Sequence, residues 1–181
     1  RSVEEEWSLM VKVVADRREE RGSAAARRLR RAGKVPGIVY GAGVAEPIPV
    51  AVDRHAFLAA VGQHVVAGQL VDLEVSGEVR TVKLQAVSRH PVRRDLAHLD
   101  FLALAASEAV EAQVPLEPGE GVRLAVSVLE VSGLPARIPA SLTIGADLLA
   151  NGVVTAGAVP LPEGIGIVGD PARIVATAEE D

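Results

Sequence analysis

The chain has 181 residues, a net charge of −5 and 49% hydrophobic residues, enough apolar surface to build one large core or two small ones. It has no cysteine, which excludes a disulfide framework and a thiolate metal site. No stretch approaches the roughly 18 apolar residues of a membrane helix, and the acidic start RSVEEEWSLM is unlike a secretory signal, so a cytoplasmic protein without a membrane partner is expected.

The net charge hides a division. Residues 1–105 hold 16 Lys and Arg against 13 Asp and Glu, whereas residues 106–181 hold 3 against 11. All four aromatic residues (Trp7, Tyr40, Phe57, Phe101) and all four histidines lie in the first part. The second part therefore has little with which to stack a base or move a proton, and the pattern suggests a basic functional module joined to an acidic companion.

In chain order, residues 1–9 read as an extension ahead of Met10, which opens the strand-like run LMVKVVA. Ala24 to Ala32 reads as a short helix closed by Gly33, and the Pro36-Gly37 pair reads as the break that ends this excursion. IVYG and IPVAV are short strands. Asp53 is an N-cap candidate for RHAFLAAVG, where Phe57, Leu58 and Val61 recur at helical spacing. QLVDLEV, the turn SGE and VRTVKLQAV form a hairpin with Val82, Leu84 and Ala86 on one face and Thr81, Lys83 and Gln85 on the other. LAHLDFLAL follows as a strand with His98 and Asp100 on one face, opposite Ala97, Leu99, Phe101 and Ala103.

Beyond residue 105 the runs AVEAQVPL, VRLAVSVLEV, ASLTIGA, IGIVG and RIVATA are separated by turn-forming EPGEG, SGLP, LPEG and GDP, the texture of a small antiparallel sandwich or sheet. The expected fold is mainly β. An N-terminal small β-barrel with one or two short helices spans residues 10–105, and an all-β domain spans 106–181.

The strongest electrostatic feature runs from Arg17 to Lys34, with eight basic residues opposed only by Glu19 and Glu20. Such a run is either a solvated helix surface or a phosphate-binding one, since guanidinium forks match phosphate oxygens. QAVSRHPVRRD adds Arg89, His90, Arg93 and Arg94, and the two segments make one patch if helix and strand lie side by side. Tyr40 either stacks on a nucleotide or fills the core with its hydroxyl at the rim.

Catalysis is not expected. There is no GxSxG, no HExxH and no thiol, and YGAGVAE lacks the lysine of a phosphate loop; neither cofactor, metal nor small-molecule substrate is implied. His98 and Asp100 are left as a surface pair or as readers of base edges among phosphate-binding arginines.

GSAAARRLRRAGKVPGIVYG followed by QAVSRHPVRRDLAHLDFLAL resembles the bacterial large-subunit ribosomal protein twenty-five family, the 5S rRNA-binding group that includes the general stress protein Ctc. The resemblance covers about residues 10–104. It implies a barrel docked on the widened minor groove of a 5S rRNA internal loop, a second all-β domain as in the longer subclass, neighbouring large-subunit proteins as partners, and ribosome-associated residence. It further implies RNA contacts from Arg18, Arg27, Arg30, Tyr40, Gln85, His98 and Asp100. Ser23, Ala26 and Ser88 stand where many members carry lysine, serine and glutamine, and the second domain is shorter by roughly one hairpin between QVPL and RIPASLTI. A conditionally ribosome-associated stress protein and an anticodon-binding-like tRNA module are the alternatives.

Overall fold

The computed structural model describes residues 11–62 and 65–179, so the expected extension 1–9 and the first two residues of LMVKVVA lie outside the described residues. The chain divides into two units, Met10–Ala106 and Ser107–Asp181.

The first unit contains β1 (Lys12–Arg17), α1 (Ser23–Arg31), β2 (Lys34–Gly41), β3 (Ile48–Asp53), α2 (Arg54–Val61), β4 (Leu70–Val75), β5 (Glu78–Arg89) and β6 (Leu96–Ala103). The six strands close into a barrel in the order β1-β3-β2-β6-β5-β4. Parallel pairing of β1 with β4 completes the ring, β2 also runs parallel to β6, and the remaining pairs are antiparallel. Closure leaves no sheet edge within the barrel. Inward residues alternate along each strand, and Phe101, Leu84, Leu99, Val82 and Val50 are completely buried, each stabilising the fold by about 1.5–3 kcal/mol on burial.

Local chemistry explains the connections. Asp53 caps α2 as expected, its Oδ1 accepting the Ala56 N–H at 2.8 Å, and Phe57 from that helix plugs the barrel core. Gly33 has φ 79° just past α1, the left-handed conformation that favours glycine at a helix end. Ser76 and Gly77, with φ 51° and 80°, make the two-residue turn between β4 and β5.

Three sequence expectations change. Pro36 and Gly37 do not break the chain but lie inside β2. Pro36 sits one residue before the β6 pairing begins at Gly37, so its missing N–H falls at the end of that ladder. Gly37 is there for space, since a Cβ would lie 2.7 Å from the Leu99 carbonyl oxygen. Along β5 the register shifts between Leu84 and Ala86. Gln85 is the extra residue of a β-bulge, so Ala86 moves to the outer face opposite Asp100 and Val87 takes the inward position opposite Leu99. A second shift lies between Ser88 and Arg89, where Ala97 is extra on β6. Leu96 rather than Ala97 is therefore buried beside Leu99 and Phe101.

The second unit contains β7 (Val110–Pro118), β8 (Val122–Leu124), β9 (Val128–Gly133), β10 (Leu142–Ile144), β11 (Val153–Thr155), β12 (Gly166–Ile167) and β13 (Ile174–Ala178). They form a four-stranded sheet, β10-β7-β9-β12, and a three-stranded sheet, β11-β13-β8. VRLAVSVLEV, expected as one run, is two strands in different sheets. Both Ala125 and Val126 donate to the Val175 carbonyl, and the chain crosses between the sheets there. The unit is not wholly antiparallel either, because β10 runs parallel to β7. Its core is made of small aliphatic side chains, among them Val131, Ile144, Val154 and Val175.

Candidate nucleic-acid interface

β6 lies between β2 and β5, which makes His98, Asp100 and Leu102 the centre of an outward-facing patch. Cross-strand register sets the neighbours. Leu102 lies between Lys83 and Tyr40, Asp100 between Ala86 and Ile38, and His98 opposite Ser88. Tyr40 is thus diagonal to Asp100, within reach of a long side chain, and exposed Gln85 bulges from β5 next to the Ala86–Asp100 pair. Small neighbours on β5, Ala86 and Ser88, leave the tips of Asp100 and His98 uncovered on that side.

The two residues of the pair touch each other. His98 Nδ1 stands 3.0 Å from Asp100 Oδ1, with side chains 37% and 33% exposed. The contact orients the imidazole and leaves Nε2 and the second carboxylate oxygen to the outside, one group able to donate or accept according to protonation and the other only to accept.

α1 divides the arginines between two grooves. Positions 27, 30 and 31 share one side of the helix and positions 25, 28, 29 and 32 the other, as three- and four-residue spacing dictates. On the first side Arg27, Arg30 and Arg31 face Arg89, His90 and Arg93 across a groove of about 560 Å³. The two basic segments of the sequence therefore form one patch. Arg30 is partly engaged within it, donating from Nη1 to the Ala97 carbonyl at 3.1 Å. That carbonyl belongs to the extra residue of the β6 bulge, and the bond ties α1 to the strand that carries His98. Arg27 is exposed.

Arg18 belongs to the second groove, of about 520 Å³, with Arg28, Leu29 and Lys34. Its Nε and Nη1 are buried without a hydrogen-bond acceptor among the described residues. Burial, and then the nearby Arg21 charge, push the guanidinium below its ordinary value, but an arginine remains charged in any protein environment. Two carboxylates, Glu19 and Glu20, line the same groove, and Glu20 is held by Arg28 at 2.7 Å. Buried charged donors without an acceptor are costly, so Arg18 carries an unmet demand for a hydrogen-bond acceptor.

Of the seven residues singled out in the sequence, Tyr40, Gln85, His98 and Asp100 thus meet on one face, Arg27 and Arg30 flank it in the first groove, and Arg18 stands apart on the far side of α1. Sequence reasoning missed Arg54, which opens α2 and lines the first groove. Its position depends on the Lys34–Asp53 pairing and on the bond from its N–H to the Gly33 carbonyl at 2.9 Å, neither of which leaves a mark in the local sequence.

Residues 13–101, which include the whole polar face and both arginine segments, match the family model of the Ribosomal L25p family. The chain is 36% identical over 166 residues to the large ribosomal subunit protein bL25 of Neisseria gonorrhoeae, covering 84% of this chain and 87% of that protein.

The chain belongs to the Ribosomal L25p family.

Other relatives carry the same name. The bL25 of Cupriavidus metallidurans is 36% identical over 170 residues, covering 86% of this chain and 82% of that protein. The bL25 of Cupriavidus necator is 34% identical over an alignment of 187 positions, covering 94% of this chain and 90% of its own length. An alignment over 94% of the chain must take in most of the second unit, so the likeness to L25p proteins is not confined to the barrel. The family is one of ribosomal structural proteins, not of enzymes, and among the described residues no helix is long and apolar enough to cross a membrane.

Proposed function

We propose that this L25p-family protein is a structural component of the large ribosomal subunit, resident on ribosomes in the cytoplasm, and that its barrel binds 5S rRNA. The observation that carries the proposal is the placement of His98 and Asp100, paired at 3.0 Å on the outer face of the barrel's central strand with arginines on both sides of α1.

Arginines alone attract any polyanion, and a carboxylate beside them is repelled by phosphate unless it meets donors. A-form RNA offers such donors, base amino groups and 2′-hydroxyls, on a shallow minor groove that a low sheet face can approach. Asp100 accepts from them, His98 Nε2 supplies a second polar point, Gln85 reaches from the bulge, and Tyr40 gives an aromatic surface at the diagonal position. Arg27 and the remaining N–H groups of Arg30 hold phosphates on one flank, and Arg18 takes one on the other. On this reading the RNA-binding domain is residues 10–105, and the acidic domain, 106–181, contacts neighbouring ribosomal proteins.

Sequencing the RNA that copurifies with the full-length protein tests the proposal. Enrichment of 5S rRNA is the expected result. Enrichment of tRNA assigns the barrel to a different RNA, and an absence of bound RNA refutes the RNA-binding role.

A further inference from the structure

We propose that the groove between α1, the β5–β6 turn and the first turn of α2, where Arg27 and Arg30 hold phosphates on the reading above, is a longer track for phosphates of the same RNA, with Arg31, Arg54 and Arg93 as its further holders beside the base-reading face of β6. The inference rests on the RNA-binding function proposed above.

The charge count comes first. Six arginines (Arg27, Arg30, Arg31, Arg54, Arg89 and Arg93) line the groove against a single carboxylate, Asp95, a surplus of five positive charges. Two of the six are structural ties. Arg30 bonds the Ala97 carbonyl, and Arg89 bonds the carbonyls of Arg94 and Val65. Asp95 is divided between Arg54 at 3.6 Å and Arg93 at 3.7 Å, which leaves both guanidiniums with most of their donors outward. Like charges gathered around one groove repel one another, and an anion between them reverses the sign.

The wall of the groove is also built in advance. In the β5–β6 turn, His90 N–H donates to the Asp95 carbonyl and Arg94 N–H to the His90 carbonyl, both at 2.9 Å. The His90 ring accepts at Nδ1 from the N–H groups of Val92 and Arg93, each at 3.2 Å, which places its proton on Nε2 as a further donor. Arg94 holds φ 63°, a conformation that non-glycine residues adopt mainly where the surroundings enforce it, commonly at binding sites. A turn so tied presents Arg93 on an ordered backbone, so that only its exposed side chain is left to order on binding.

The spacing favours a polymer over a small anion. The arginines come from α1, α2 and the β5–β6 turn and surround about 560 Å³, more than one phosphate needs. The groove also runs into the polar face, because Ala97 lines it and is followed directly by His98. From Ala97 to Leu102 β6 spans about 16 Å at strand rise, so an RNA whose minor groove lies on that face carries its backbone past the groove mouth.

The test uses full-length protein and labelled 5S rRNA across a salt series. The R31Q/R54Q/R93Q variant is expected to bind at least about tenfold more weakly at 0.15 M salt, with the log–log salt slope reduced by about 0.7–0.9 per lost contact and the preference for 5S rRNA over a plain duplex unchanged. D95N, which keeps every arginine and removes the carboxylate, is expected to bind a few-fold more tightly with a steeper slope. These opposite signs separate a charge effect from damaged folding. An unchanged slope in the triple variant, or a loss in D95N as deep as in that variant, overturns the track. Inorganic phosphate at millimolar level and constant ionic strength should leave the difference between wild type and triple variant intact; its disappearance makes the groove a small-anion site and also overturns the track. Wild-type protein that does not bind 5S rRNA removes the proposed function and the track together, whereas wild-type binding with an unaffected triple variant removes the track alone.

Discussion

The barrel and the second unit are both assembled from short strands, but they differ in what their closure permits. The barrel pairs every strand on both sides and packs two phenylalanines into its core, so its outer face is free to carry His98, Asp100, Gln85 and Lys83 with no exposed edge to protect. The second unit has two open sheets ending on strands of two or three residues, β10, β12, β11 and β8, and a core without aromatic residues. Short edges and acidic side chains both discourage unwanted strand pairing and polyanion contact. The difference teaches that charge follows architecture here: the surface with a closed scaffold is the one that concentrates cations.

The sharpest way to break this comparison is to separate the units. A protein truncated after Leu104 is expected to bind 5S rRNA within about threefold of the full chain, and residues 106–181 alone are expected not to bind; a folded barrel that fails to bind ends the division of labour. A smaller effect, on stability, follows from the contrast in cores. Phe101→Ala should destabilise the barrel by about 3–5 kcal/mol, whereas Ile144→Val in the second unit should cost about 0.5–1.5 kcal/mol, both read from denaturant melts of the intact chain. Asp100→Asn keeps shape but replaces an acceptor by a donor. It should cost about 1–3 kcal/mol on the cognate internal loop and much less on a plain duplex, and an unaltered preference makes the pair plain surface. Replacing Arg27 and Arg30 by alanine should weaken matched and mismatched RNAs alike, with a slope lower by about 0.7–0.9 per contact. A slope nearer one lost contact than two would reflect the Ala97 carbonyl already held by Arg30.

Much of the barrel was legible because its signals are local. Asp53 ahead of an apolar helix and Gly33 behind another mark their ends, the first by its capping carboxylate and the second by its freedom to take positive φ, and the alternation in β4, β5 and β6 places Leu99 and Phe101 inside. The two bulges were not legible, since one additional residue at Gln85 or Ala97 changes the facing of its neighbours without altering composition. Pro36-Gly37 misled because the requirement for glycine comes from Leu99, a residue distant in sequence. In the second unit, Ala125 to Ser127 has strand-like residues but serves as the crossing between sheets, and β11, three residues long, is too short for a periodic signal. The motif pair located the polar face. The groove needed the fold, because Arg31, Arg54 and Arg93 are brought together only by barrel register.

The strand order carries a consequence for synthesis. β6 is the last barrel strand to be made, yet it inserts between β2 and β5, so a nascent chain displays its arginines long before the reading strand exists. Pairings this distant in sequence form late, and the step that seals the cylinder is the same step that creates the recognition surface. On the proposed function, an unfinished chain would attract RNA without discriminating, and selectivity for a particular RNA would arrive only with the completed barrel.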